Sequence, residues 1–218
     1  MVNHAHESAG TRPLNRNSAS GRGSVSMQAV VWLALVALAV AGRLWQPTWN
    51  GEQLWHATPL AAVALAAGFL FANPLVAASV PLAALALSNL VLPGYGSLGV
   101  AAVVYAATAW PVLLGTCGVL GQDRPRWLAV VGGSLATSLV FFLSTNLAHW
   151  AFMADYPRTM AGLGECFVAA LPFYRWMPVG DAAWTLATFG LIVAARMAAE
   201  AAATRRLRPQ GISPRPLD

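Results

Sequence analysis

Residues 139–185 read LVFFLSTNLAHWAFMADYPRTMAGLGECFVAALPFYRWMPVGDAAWT and decide the fold. This stretch joins two apolar runs, each long enough to cross a bilayer. Only 10% of the chain is charged, so polar residues at this depth are costly and tend to be functional. We therefore expect any binding or chemistry of the protein here. The stretch holds Asn146, His149, Asp155, Arg158, Glu165, Arg175 and Asp181.

Composition indicates an integral membrane protein. The 218 residues are 57% hydrophobic, with a mean hydropathy of +0.58, which exceeds the apolar share of soluble domains. A net charge of +5 is also typical of nucleic-acid binding, but the arginines cluster at segment ends, which favours positive-inside loops and no nucleic-acid partner. Cys117 and Cys166 show no pairing or C-x-x-C spacing, so the sequence predicts no disulfide framework, structural zinc or cofactor.

Apolar runs predict an all-α bundle of six transmembrane helices. Residues 27–45 form the first, since about 19 residues at roughly 1.5 Å each approach the hydrocarbon thickness. The same residues also resemble a cleavable signal peptide. The run continues to Trp45 and only membranous segments follow, which favours a retained helix with Ala37 and Ala41 as a close-packing pair. The other predicted spans are residues 58–71, 74–92, 98–120, 127–152 and 179–199.

The flanking segments predict the domain organisation and the orientation. We expect residues 1–26 to be a disordered cytoplasmic tail, residues 27–199 the transmembrane domain, and residues 200–218 a cytoplasmic tail rich in Arg and Pro. The excess of Arg then places both termini in the cytoplasm. The predicted cytoplasmic arginines are Arg12, Arg16, Arg22, Arg124, Arg126, Arg196, Arg205, Arg206, Arg208 and Arg215, which leaves Arg43, Arg158 and Arg175 outside.

Residues 156–172 are too few to span a bilayer and predict a short re-entrant or interfacial helix between spans five and six. Pro157 suits its first turn. On this helix Arg158 and Glu165 share a stripe about two turns apart, so they could bracket a polar ligand. Alternatively, each pairs locally and holds the helix in place.

Further polar residues point to the same outer region. In span five Ser134, Ser138, Thr145 and His149 form a stripe towards the bundle interior, although such hydroxyls often bond to their own helix. Asp181 is either a helix cap or a ligand contact. The pattern favours a concave, outward-facing site, but a polar surface would look the same. The candidate ligand-binding residues are Trp55, His56, His149, Arg158, Glu165 and Asp181.

Four stretches carry a resemblance to a known family: HATPLAAVALAAG at 56–68, LALSNLVL at 85–92, FFLSTNLAHWAF at 141–152 and YPRTMAGLGECFVAALPFYRWMPVGD at 156–181. They resemble an uncharacterised family of small bacterial integral membrane proteins, itself similar to the substrate-binding S components of energy-coupling-factor (ECF) transporters. The resemblance covers roughly residues 41–198. The chain departs from it at His56 and Asn89, where relatives have Asn and Asp.

This resemblance implies an ECF S-component-like bundle in a bacterial inner membrane. The ligand would lie near the outer face under the first extracellular loop. A transmembrane coupling subunit, energised by separate ATPases, would dock on small residues of the first helix. Ala37 and Ala41 could serve that docking or ordinary helix packing.

Three functional hypotheses follow. The first is a membrane protein that binds a small solute for uptake, and the second a structural or assembly protein without a ligand. The third is an intramembrane enzyme, for which the sequence has no G-x-S-x-G or H-E-x-x-H motif; His149, Glu165 and Cys166 match no known ligand spacing. We therefore expect no enzyme activity. The sequence also has no Walker A motif, so energy for transport would come from a partner or a gradient.

Overall fold

A computed structural model describes residues 17–45, 48–49, 52–53 and 57–207. Within these ranges the fold is helical, apart from a two-residue antiparallel ladder in which Thr48 pairs with Gln53 and Trp49 with Glu52. The elements are α1 (Asn17–Leu44), β1 (Thr48–Trp49), β2 (Glu52–Gln53), α2 (Leu60–Leu70), α3 (Pro74–Ser88), α4 (Leu98–Ala109), α5 (Val112–Thr116), α6 (Trp127–Phe152), α7 (Met160–Tyr174) and α8 (Met177–Leu207).

Four helical segments are long and apolar enough to cross a membrane: Val25–Leu44, Leu98–Thr116, Trp127–Phe152 and Met177–Arg205. Three apolar helices, α2, α3 and α7, are shorter. The long segments expose many large apolar side chains, among them Leu33, Leu128 and Leu191, as lipid contact requires. The chain is therefore a helical, membrane-associated protein.

Helix α2 lies at the centre of the bundle. It packs against α1, α3, α4, α5, α6 and α8, and every residue from Ala61 to Phe69 is buried. Its 11 residues measure roughly 16 Å, about half the hydrocarbon thickness. Because the neighbouring helices surround it, this short helix needs no lipid contact of its own. A short, Ala-rich helix can be accommodated in a bundle when neighbouring helices bury it in this way.

A close approach between α2 and α5 depends on two glycines. A Cβ built on Gly115 would lie 2.2 Å from the carbonyl carbon of Gly68, and one built on Gly68 would lie 2.2 Å from the Val112 oxygen. Only glycine lets two helix backbones come this close. The α2 and α5 backbones are therefore in direct contact.

Helices extend into both segments that the sequence predicted as tails. Helix α1 begins at Asn17 instead of residue 27, and α8 continues to Leu207 instead of ending at 199. Once a long helix has formed, each added residue costs little, and the Ala-rich end of α8 has high helix propensity. Residues 1–16 and 208–218 of the predicted tails lie outside the described residues.

Two predicted spans are interrupted or shortened. The span at 98–120 breaks at Trp110 and Pro111 between α4 and α5, because proline has no N–H to donate. Helix α3 ends at Ser88 instead of residue 92. Ala37 and Ala41, the predicted packing pair, are both exposed on α1 and so do not face a neighbouring helix of the described chain.

Helix α7 begins later than predicted. Thr159 is its N-cap, whose hydroxyl accepts a hydrogen bond from the Gly162 amide at 3.1 Å, so Pro157 and Arg158 precede the helix. Pro172 lies within α7 and does not end it. The buried residues of α7 are Gly162 and Cys166, one turn apart, while Glu165 is exposed. The predicted helix at 156–172 is thus shifted towards its C-terminus.

Candidate binding site

A cavity of about 320 Å³ lies between α1, α2, α3, α4, α6 and α8. Most of the surface area of its wall is apolar, although polar and charged residues supply about half of the lining side chains. The apolar wall includes Leu60, Ala61, Leu85, Val100, Val104, Ala107, Phe141 and Met177; the polar groups are Arg43, Thr58, Tyr95, Thr108, Thr137, Thr145, Asn146, His149 and Asp181.

Arg43 brings a positive charge to this cavity from the last turn of α1. Its Nη1 donates to the Ser88 hydroxyl at 2.8 Å and to the Asn89 side-chain oxygen at 3.1 Å. The Asn89 amide in turn donates to the Tyr95 hydroxyl at 3.1 Å and to the Tyr105 hydroxyl at 3.3 Å. This network joins α1, α3 and α4 and fixes the guanidinium at the cavity wall.

Asp181 brings a carboxyl group from the second turn of α8. It is only 5% exposed, and its Oδ2 accepts a hydrogen bond of 2.6 Å from the Ser138 hydroxyl. A Cβ on Gly180 would lie 2.7 Å from the Cα of Ala57, so this glycine lets α8 approach the start of the α2 region. Helix α8 begins at Met177, four residues before Asp181, and the Asp181 carboxyl bonds to α6. Asp181 is therefore not a helix cap, the first of the two roles considered from the sequence.

The polar face of α6 divides into two parts. Ser134 and Ser138 are fully buried against α8, where the Thr185 hydroxyl donates to the Ser134 hydroxyl at 3.2 Å. Thr145 and His149, further along the helix, line the cavity. This face therefore both attaches α8 and supplies cavity groups.

Asn146 also lines the cavity, and its amide donates to the Phe142 carbonyl oxygen at 2.7 Å. The Thr145 hydroxyl makes the same kind of bond to the Phe141 carbonyl at 2.7 Å. Bonds to the preceding turn are common for polar residues in membrane helices. They hold both side chains in place and leave their oxygens able to accept hydrogen bonds.

His149 lies where the cavity meets the α6–α7 connection. Its Nε2 is 2.9 Å from Asp155 Oδ2, and the Tyr156 ring meets the imidazole edge to face at 6.2 Å. The two side chains are 39% and 58% exposed. His149 is thus a partly solvated cavity residue with a carboxylate partner outside the cavity.

Arg158 and Glu165 do not line this cavity, so the bracket around a ligand that their spacing predicted is not part of it. Arg158 is exposed, donates to the Met153 carbonyl oxygen at 2.8 Å and lies 5.7 Å from the centre of the Trp150 ring. Because it precedes the Thr159 cap, it is not on the helical stripe that the spacing assumed. The contacts of Arg158 agree with the alternative that the sequence left open, in which this residue pairs locally.

Trp55 and His56, two further candidates, lie outside the described residues. Thr58, two positions after His56, lines the cavity. Arg43 was not predicted as a site residue, because its charge was used only to predict the orientation of the chain in the membrane. An available signal was its position, since Arg43 is the one charge between Met27 and Trp45.

In the part of the chain that the structure describes, no three His, Cys, Asp or Glu residues come together in a way that could hold a metal ion. Cys166, considered with His149 and Glu165 as a metal or thiol site, is buried, and its thiol donates to the Asn146 carbonyl oxygen at 3.6 Å.

Comparison with known proteins gives a match to a protein family. No curated protein and no solved structure matches the chain. The model of a family of unknown function, DUF6580, matches residues 24–204, which is most of the sequence. The chain therefore belongs to the DUF6580 family.

Proposed function

We propose that this protein binds a small solute in the cavity, at the outer face of a membrane, for uptake. The observation that carries the proposal is the cavity itself. Its volume of about 320 Å³ is at the lower end of the range of about 300–1,000 Å³ for ligand sites. Arg43, Asn146, His149 and Asp181 reach it from α1, α6 and α8 through apolar walls.

The proposed topology has six spans: α1, α2, α3, the α4–α5 pair, α6 and α8, with α7 at the interface. Arginine placement supports an outward-facing cavity. Arg196 donates to the Asp123 carbonyl oxygen and lies 5.0 Å from the Phe69 ring, at the end of α2 opposite to the cavity. Arg124 and Arg126 flank the same loop. By the positive-inside rule this end is cytoplasmic, as are both termini, in a bacterial inner membrane.

Uptake needs an energy source, and the sequence contains no Walker A motif. We infer that the protein works like an ECF S component, with a transmembrane coupling subunit and separate ATPases as partners. The resemblance of residues 41–198 to an uncharacterised membrane-protein family, itself similar to S components, supports this part of the proposal. It assigns no catalytic step to the chain.

Native mass spectrometry of the full chain, purified in detergent, tests solute binding. Two Ala→Leu substitutions in helices are compared. Ala107→Leu enlarges a side chain in the cavity wall, and Ala183→Leu makes the same change at an exposed position of α8. We expect a co-purified small molecule on the wild-type protein and on Ala183→Leu, and none on Ala107→Leu.

Solute-free masses for all three proteins, with Ala107→Leu more stable than the wild type, would contradict the proposal. Filling an empty cavity would then only improve packing. That result would favour the structural or assembly role. A solute retained by Ala107→Leu would place the binding site elsewhere in the molecule.

A further inference from the structure

Arg43 and Asp181 carry opposite charges into the same cavity from different helices. Among the described residues they do not form an ion pair with each other. Two opposite charges in one cavity normally attract strongly, because the surroundings have a low dielectric constant. Both residues line the same cavity of about 320 Å³.

Within the described residues, the side chains of Arg43 and Asp181 form hydrogen bonds only with neutral groups. Asp181, 5% exposed, has the Ser138 hydroxyl, and Arg43 has Ser88 and Asn89. A buried charge that has only neutral partners remains costly, since hydrogen bonds replace part of its hydration alone. A molecule with a complementary charge would relieve that cost at each position.

The remaining charges do not change this balance. His149, the other titratable cavity residue apart from Tyr95, has its own carboxylate partner in Asp155. Arg158 and Glu165 lie outside the cavity wall. The described wall therefore offers one guanidinium and one buried carboxyl group, which together match a ligand that carries one anionic and one cationic group.

We propose that the solute is zwitterionic. Its anionic group, a carboxylate or similar, binds the Arg43 guanidinium, and its cationic nitrogen binds the Asp181 carboxylate. The apolar part of the solute contacts Leu85, Phe141 and Met177. Amino-acid-like and betaine-like molecules have this chemistry. The inference rests on the proposed function and names the class of solute for the same cavity.

The test measures the melting temperature of the full chain in detergent with a panel of added probes. Each probe is a natural amino acid, and each is compared with its decarboxylated amine and its deaminated acid at the same concentration. Uncharged sugars and nucleobases complete the panel. A ligand that binds only the folded state raises the melting temperature. We expect at least one amino acid to raise it more than its amine and acid counterparts do.

Two conservative variants connect that effect to the two charges. Asp181→Asn keeps an oxygen that accepts from Ser138, and Arg43→Gln keeps a hydrogen-bond donor. Each should weaken binding of the stabilising amino acid about 30-fold or more, the effect of removing one partner of a buried charge pair. Asp181→Asn should then bind the amino acid no better than its acid counterpart, and Arg43→Gln no better than its amine.

The double variant Arg158→Gln/Glu165→Gln is the matched control, because it removes the same two kinds of charge outside the cavity. It should bind like the wild type. Arg43→Lys, which keeps the positive charge, should retain part of the affinity and shows that loss in Arg43→Gln does not come from misfolding.

Equal stabilisation by an amino acid and its single-charge counterparts would overturn the inference, as would stabilisation only by uncharged probes. In both cases the cavity would still bind a solute, and the proposed function would stand. No stabilisation by any probe, together with a solute-free native mass, would remove both.

Discussion

Helices α2 and α7 are both short and apolar, but they occupy opposite kinds of position. Nine consecutive residues of α2 are buried, whereas α7 buries Gly162 and Cys166 and exposes most of its other residues. Helix α2 has neighbours on all sides; α7 packs against α6 and, more lightly, α8. Length and apolarity alone therefore do not decide whether a short helix belongs to the core.

The charges near each helix follow this difference. Arg43 and Asp181 lie on α1 and α8, which pack directly against α2, and both line the cavity. Arg158 and Glu165 lie at α7, and both are exposed. The two charged-type side chains that line the cavity thus come from helices packed on α2, and the two at α7 are exposed. Each prediction below tests one side of this contrast.

The largest effect is expected where α2 meets α5. Gly115→Ala would place a Cβ 2.2 Å from the Gly68 carbonyl carbon and 2.4 Å from the Phe69 nitrogen. Backbone atoms of two packed helices cannot move aside as a flexible side chain can. We expect the free energy of unfolding, measured by denaturant titration in detergent, to fall by about 3 kcal/mol.

Gly132→Ala, in α6, is the matched control. A Cβ at Gly132 has no neighbouring atom within 4 Å. The substitution should leave stability unchanged or raise it by up to about 1 kcal/mol through helix propensity. If both variants were equally stable, α2 and α5 would not be in backbone contact, and α2 would not be a rigid centre.

The second prediction applies one substitution to both regions. Arg43→Gln removes the positive charge from the half-buried hydrogen bonds to Ser88 and Asn89 and should cost about 2 kcal/mol, within the range for bonds to charged groups. Arg158→Gln loses one exposed bond to Met153 and a contact with Trp150, and should cost less than about 1 kcal/mol. Denaturant titration measures both. Equal costs would mean that the two arginines do not differ in environment.

Much of the fold follows from the sequence because helix formation depends on local apolar runs. The long spans at 127–152 and the C-terminal helix are examples, and the prediction of a helical chain with apolar helices long enough to cross a membrane is confirmed. Helix ends are harder to predict. Helix α1 extends through Ser, Gly and Arg residues that, read alone, indicate a tail.

The cavity could be predicted only in part. His149 and Asp181 reach it, since each lies on a long helix whose polar face must avoid lipid. Arg158 was misplaced because the helix begins after the Thr159 cap and not at Pro157. Which face of α7 packs inward depends on tertiary contacts. The small residues Gly162 and Cys166, spaced one turn apart, were the available signal.

A smaller effect is expected where α7 begins. Gly162→Ala would place a Cβ 2.2 Å from the Pro157 oxygen, in a connection that can shift more easily than a packed helix. We expect a loss of about 1 kcal/mol of unfolding free energy. Gly164→Ala, with no atom within 4 Å of its Cβ, should be neutral or stabilising by up to about 1 kcal/mol. A large loss for Gly162→Ala would show that α7 is as rigidly held as α2.

The smallest effect is expected for Glu165→Gln. Glu165 is exposed on α7 and lies outside the cavity wall, so losing its charge should leave both the unfolding free energy and the co-purified solute unchanged. Denaturant titration and native mass spectrometry measure these two quantities on the same sample. Loss of the solute without loss of stability would mean that Glu165 reaches the ligand in another arrangement of α7. The outer helix would then belong to the binding site, and exposure alone would not separate it from α2.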